Sequence, residues 1–233
     1  MEIQNNRVGN FTSSEIWKLT TDGKAKGTLG APYYSYINEK KHERRAGRSL
    51  QSNAFSYPTS WGNIIEKYLF NELELEYSLC SSDVLIHPEY LFWKGTPDIT
   101  TDLIVGDIKC PFTLTSFCDL VDAMESGIEA FKKGYKEYYW QLVSNAILTK
   151  RMDAELIVFC PLKSELDKIR DFVDCYDSDD PFKYKWIIDS RDEKLPYLID
   201  GKGYERINKF SFVVPKEDIE FLTTRVILAG EEL

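Results

Sequence analysis

Between Gly95 and Thr113 the chain reads Gly-Thr-Pro-Asp-Ile-Thr-Thr-Asp-Leu-Ile-Val-Gly-Asp-Ile-Lys-Cys-Pro-Phe-Thr, a run that leaves few folds open. Leu103-Ile-Val105 is apolar and β-branched, which predicts a buried strand. Strand side chains alternate between faces, so Asp107 and Lys109 point the same way. Thr101-Asp102 offers a turn that would return Asp98 beside Asp107. Two carboxylates and an ammonium would then meet at one point, an arrangement suited to a metal ion, a proton-handling lysine and a phosphodiester substrate. The bland alternative is a surface Asp, a turn Asp and a strand-end Lys, because the pattern alone is loose.

Around this run the periodicity alternates between helical and strand-like. Thr12-Ser-Ser-Glu15 fits a capping box, with Thr12 as N-cap and Glu15 reaching back, opening a short helix. Helices are expected over 33–51, with Gly47 a stop, and after Pro58-Thr-Ser, where Trp61, Ile64, Ile65, Tyr68 and Leu69 recur at helical spacing. Residues 82–110 read as strands broken at Pro88 and Gly95-Thr-Pro. Helices over 120–133 and 135–148 follow, then a strand over 155–160, a helix over 162–175, an acidic loop over 177–181, a strand over 210–214 and a helix over 216–228. This is a mixed α/β pattern, and 233 residues suit a single domain, 1–233.

The five cysteines are unclustered, which argues against a disulfide framework, a zinc site or an iron–sulfur cluster. No stretch approaches a membrane span and no secretory signal is visible, so a cytoplasmic setting is expected. A net charge of -9 disfavours a sequence-specific DNA binder. It leaves room for a nuclease, whose acidic residues are neutralised by a bound cation. Residues 40–48 carry a local excess of positive charge, either a solvated face or a phosphate-tracking patch beside the active site.

Three further positions are candidates. Glu66 flanks the apolar stripe of its helix and is either a solvated charge or a further metal ligand. Gln141 lies in an aromatic-rich helix, either as a surface amide or as the group that holds the lysine or the attacking water. Arg7 and the hydroxyls that follow it sit at a helix start, where an anion is favoured, or belong to an ordinary surface helix.

Taken in order, Arg7-x-Gly-x-x-Thr-x-Ser-Glu15, Trp61-Gly-x-x-x-Glu66, Thr96-Pro-Asp98, Asp107-Ile-Lys-Cys-Pro-Phe-Thr113 and Tyr138-x-x-Gln141 resemble the motifs of the phage lambda exonuclease family. These are the YqaJ-like viral recombinase nucleases of the PD-(D/E)xK superfamily. The resemblance runs from Arg7 to about Pro161, and Asp107 stands where a glutamate is more usual. It implies a restriction-endonuclease-like core, a central mixed β-sheet flanked by helices. It also implies Mg²⁺-dependent 5′→3′ digestion of double-stranded DNA ends, with Mn²⁺ as a substitute, releasing 5′-mononucleotides and leaving 3′ single strands for recombination. Asp98, Asp107, Glu66 and the main-chain carbonyl of Ile108 would ligate the metal. Lys109 would activate water, Gln141 would position it, and Arg7 and Ser14 would grip the 5′-phosphate. A single-strand annealing protein, a homotrimeric ring and a bacterial or phage-infected cytoplasm are the implied partners and setting. A structure-selective or restriction-like endonuclease, or a non-catalytic DNA-end-binding module, are the alternatives on the same core.

Overall fold

The computed structural model describes residues 7–50, 55–73, 83–177, 180 and 182–233. A two-residue strand, β1 (Phe11–Thr12), runs into a 3-10 helix over Ser13–Thr20. The expected capping box is not made, because the Thr12 side chain forms no cap hydrogen bond. The Thr12 N–H donates instead to the Tyr36 hydroxyl at 2.9 Å. Glu15 pairs with Lys18, three residues on, and with Lys40, so a distant hydroxyl takes one half of the local motif and a competing lysine pair the other. Helix α1 (Ala31–Ala46) stops at Gly47, as the sequence suggested, and does not continue to residue 51. Helix α2 (Tyr57–Leu73) includes Pro58 in its first turn, where the missing N–H has no intrahelical partner to lose. It buries the stripe of Trp61, Ile64, Ile65, Tyr68 and Leu69.

Four short strands follow: β2 (Leu85–Ile86), β3 (Trp93–Gly95), β4 (Ile99–Thr100) and β5 (Ile104–Lys109). Next come α3 (Leu114–Glu125), α4 (Ile128–Gly134) and α5 (Lys136–Thr149). The helix expected over 120–133 is thus two helices. The first starts early because Thr113 caps it, its Oγ1 accepting from the Ser116 N–H at 3.1 Å. Strand β6 (Asp153–Phe159), a 3-10 turn (Lys163–Glu165), α6 (Leu166–Cys175), α7 (Phe182–Asp189), a second 3-10 turn (Asp192–Lys194), β7 (Ile207–Val213) and α8 (Lys216–Gly230) complete the order. Helix α7 was not anticipated, and part of the acidic loop expected before it, at 178, 179 and 181, lies outside the described residues.

The larger sheet has the order β4-β5-β6-β7. Its outer pairs are antiparallel and its central pair, β5 with β6, is parallel. A parallel pair needs a crossover, and α3 to α5 supply it. Side-chain alternation along β6 feeds two cores. Ala154, Leu156 and Val158 face the helices α3, α5 and α8, while Ile157 and Phe159 face α2, α6 and α7. On β5, Val105 belongs to the first core and Ile108 to the second, so Asp107 and Lys109 share the α5 side with Val105. The smaller sheet, β1-β3-β2, pairs Phe11 with Trp93 and Thr12 with Lys94. It carries the N-terminal segment to the Thr96-Pro-Asp98 loop. A Cβ at Gly95 would fall 2.2 Å from the Ser13 Oγ, so only glycine permits this approach. No helix among the described residues is long and apolar enough to cross a membrane.

Candidate active site

Strands β4 and β5 form the hairpin that the sequence suggested, with Ile99 opposite Gly106 and Thr100 opposite Val105. Its turn is held by the Thr101 Oγ1, which accepts the N–H groups of Leu103 (3.2 Å) and Ile104 (3.0 Å). Asp98 lies just ahead of β4, where main-chain pairing to β5 gives out. Its Oδ2 accepts the Ile108 N–H at 2.8 Å, so a carboxylate continues the ladder by one rung. A strand residue's carbonyl leaves on the same edge as its N–H, which directs the Ile108 carbonyl towards the Asp98 side.

Asp107 is completely buried. Gln141, from α5, donates its Nε2 to the Asp107 Oδ1 at 2.8 Å, and the Lys109 ammonium pairs with Oδ2. Gln141 therefore holds the carboxylate, where the sequence reading had it holding the lysine or a water. The Lys109 Nζ also lies 5.1 Å from the centre of the Tyr138 ring, a contact between distant segments that no local pattern signals. The neighbouring Tyr139 and Trp140 are core residues.

Arg7, Ser14, Glu66, Asp98, Asp107, Lys109 and Gln141 all line one cavity of about 240 Å³. Thr12, Ser13, Gly95 and Thr96 complete its wall. The Arg7 Nη2 donates to the Thr96 Oγ1 at 2.6 Å. A second cavity of about 590 Å³ shares Glu66 and Lys109 with the first and is walled by Ile108, Phe112 and Tyr138 among others. No residue of the basic segment 40–48 lines either cavity. Lys40 is 4% exposed and pairs with Glu39 (3.0 Å) and Glu43 (3.1 Å), so part of that charge is consumed internally.

The electrostatics are those of crowded negative charge. Burial, then Asp107 and Glu66, push the Asp98 carboxyl well above its ordinary value. Glu66 is also raised, chiefly by burial, with Lys67 opposing and Asp107 adding to it. Burial alone would lower the Lys109 ammonium, but Asp107 and Asp98 outweigh it and hold the proton more tightly than usual. The anions beside the ammonium stabilise its charged form.

The donor set fits a hard divalent cation. Among the described residues no three Asp, Glu, His or Cys side chains form a ready-made metal cage. Mg²⁺ sites, however, commonly use one or two carboxylates, with waters and substrate phosphate filling the remainder. Asp98 and Asp107 are such a pair, with Glu66 on the same cavity. The Asp107 Oδ2 is buried, and the Lys109 ammonium is paired with it.

No protein-family model matches the sequence, and no curated protein matches it significantly. Solved structures do match. LHK-Exo in complex with dAMP superposes with a TM-score of 0.63 at 17% identity, over 99% of this chain and 91% of that one. LHK-Exo, an alkaline exonuclease from Laribacter hongkongensis, gives a TM-score of 0.62 at 15% identity, over 99% of this chain and 91% of that one. A phage-related exonuclease from Haemophilus somnus 129PT gives 0.59 at 19% identity, over 96% of this chain and 92% of that one. The chain has the fold of these exonucleases, a restriction-endonuclease-like mixed sheet flanked by helices.

Proposed function

We propose that this chain is a metal-dependent exonuclease of the phage lambda exonuclease family, digesting double-stranded DNA from a 5′ end. It releases 5′-mononucleotides and leaves a 3′ single strand for an annealing protein. The observation that carries the reading is the single cavity in which Arg7, Ser14 and Thr96 share a wall with Asp98, Asp107, Lys109 and Glu66. Cationic and hydroxyl donors suit a terminal phosphate, and the carboxylates suit the cation that a phosphodiester hydrolase needs. The fold shared with exonucleases supports the same class of activity.

Asp98, Asp107 and the Ile108 carbonyl would hold Mg²⁺, with Glu66 as a further ligand. The bound cation would supply Lewis-acid polarisation of the phosphoryl oxygen and acidify a water. Gln141 keeps Asp107 in one orientation through the Oδ1 hydrogen bond. A cation held by Asp98 and Asp107 would offset the charges that now retain the Lys109 proton, and the amine would then be placed to accept a proton from the attacking water. Arg7 and Ser14 fix the 5′-phosphate and so place the next phosphodiester at the carboxylates.

Closed circular duplex separates this activity from an endonuclease. The chain is expected to digest linear duplex and leave the circle intact, and nicking or cutting of the circle would refute end-dependent action. Arg7→Ala should reduce the preference for 5′-phosphorylated over 5′-hydroxyl ends. A lost charged hydrogen bond is worth about 1.5–3 kcal/mol, or roughly 10- to 100-fold in the ratio of kcat/KM values. An unchanged ratio would remove Arg7 from this role.

A further inference from the structure

The backbone that carries Arg7 is gripped from the last turn of α1. The Gly9 N–H donates to the Glu43 Oε2 at 2.9 Å, and the Gly9 carbonyl accepts from the Arg44 Nε at 2.7 Å. Two adjacent side chains thus satisfy both polar groups of one residue in the turn, and the Asn10 N–H closes that turn on the Arg7 carbonyl at 3.2 Å. Gly9 has a φ of +67°, and a Cβ there would lie 2.4 Å from the Arg44 Cγ. The contact is therefore close enough that only glycine fits it.

Glu43 is 1% exposed, which is costly for a carboxylate unless every lone pair is used. Besides Gly9 it accepts from the Lys40 Nζ (3.1 Å), the Ser49 Oγ (3.2 Å) and the Leu50 N–H (3.2 Å). Neither Glu43 nor Arg44 lines the cavity. What they fix is the origin of a long side chain two residues away. An arginine loses up to about 2 kcal/mol of rotamer freedom on being held in place. A guanidinium whose backbone also wanders would pay that loss on every binding event. A misplacement of about 1 Å can lower catalysis roughly 100-fold.

We propose that Glu43 and Arg44 are positioning residues for the DNA end: by clamping the Gly9 peptide onto α1 they set where Arg7 meets the 5′-terminal phosphate. This rests on the reading of Arg7 given above. It also gives the basic segment 40–48 a role at one remove from DNA, through Gly9.

The test compares wild type with Arg44→Met, which keeps the side-chain stem but removes the Nε donor to Gly9, along with the Nη1 donor to the Leu233 carbonyl. Each protein digests linear duplex bearing a 5′-phosphate or a 5′-hydroxyl, and binds the same two ends in EDTA. The variant is expected to lose about tenfold of the 5′-phosphate preference, through KM and through metal-free affinity, with the 5′-hydroxyl rate unchanged. Arg44→Lys, which retains a donor, should restore part of it. Gly9→Ala should reproduce the loss. An equal fall on both ends, or no change in the metal-free preference, would overturn the proposal and leave a purely structural contact. If Arg44→Met does not fold, Arg44→Lys and Gly9→Ala decide by the same ratio. Wild type that digests DNA without preferring the phosphate overturns the clamp together with the role of Arg7. Wild type that digests no DNA refutes the nuclease reading, and the metal-free binding comparison then decides the clamp alone.

Discussion

Replacing Lys109 with alanine is expected to lower the rate of DNA digestion by about 10²- to 10⁴-fold, the range for removal of an acid–base group, while duplex binding persists. The ammonium is the partner of a buried carboxylate and lines both cavities, so it is positioned for proton transfer and contributes little of the surface that grips a duplex. The same substitution strips Asp107 of its counter-charge. In the metal-free protein that should lower stability by less than the roughly 3–5 kcal/mol of a fully enclosed broken pair, because Lys109 keeps some solvent contact, its side chain being 20% exposed. Added Mg²⁺ should recover much of the loss. Single-turnover digestion, a binding titration and thermal melts in EDTA and Mg²⁺ report the three effects. Digestion at the wild-type rate would remove Lys109 from the chemistry.

Asp98→Asn is expected to abolish metal-dependent digestion and, in EDTA, to raise the melting temperature. Burial, Asp107 and Glu66 hold the Asp98 carboxyl well above its ordinary value. A group raised in the folded state contributes stability below its unfolded pKa of about 3.9, and that contribution is lost as pH rises through the folded value. At neutral pH the raised Asp98 carboxyl therefore destabilises the metal-free fold. Asparagine removes the charge, retains an acceptor for the Ile108 N–H and adds donors that can face Asp107. Relief of functional-site strain of this kind is commonly worth about 0.5–2 kcal/mol. For a chain of this length that is a rise of roughly 1–8 °C. Mg²⁺ should raise the melting temperature of wild type and leave the variant unchanged. A variant that melts lower in EDTA, or that gains as much from Mg²⁺ as wild type, would contradict the assignment of Asp98 to the metal.

Local rules carried much of the site. The two-residue period of a strand puts Asp107 and Lys109 on one face, and the Thr101-Asp102 turn brings Asp98 alongside, both as the structure has them. The helical stripes around Glu66 and Gln141 placed those residues on α2 and α5. What the sequence did not disclose depends on contacts between distant segments. Gln141 reaches Asp107 across 34 residues of chain, and no local signal distinguishes that partner from Lys109 or a water. The capping box failed because the remote Tyr36 takes the Thr12 N–H, and Lys18, with Lys40 behind it, draws Glu15 away. In the basic segment Arg44, Arg45 and Arg48 are exposed, as a solvated face has them, but Lys40 lies inside and Arg44 binds Gly9, contacts no local pattern discloses.

The most direct measurement is the release of nucleotides from linear, 5′-phosphorylated duplex DNA in Mg²⁺ and in EDTA. Progressive release of 5′-mononucleotides from the 5′-terminated strand in Mg²⁺ alone, with the opposite strand left single, is the result this account predicts. Nucleotides released in EDTA, or no release in either condition, would contradict it.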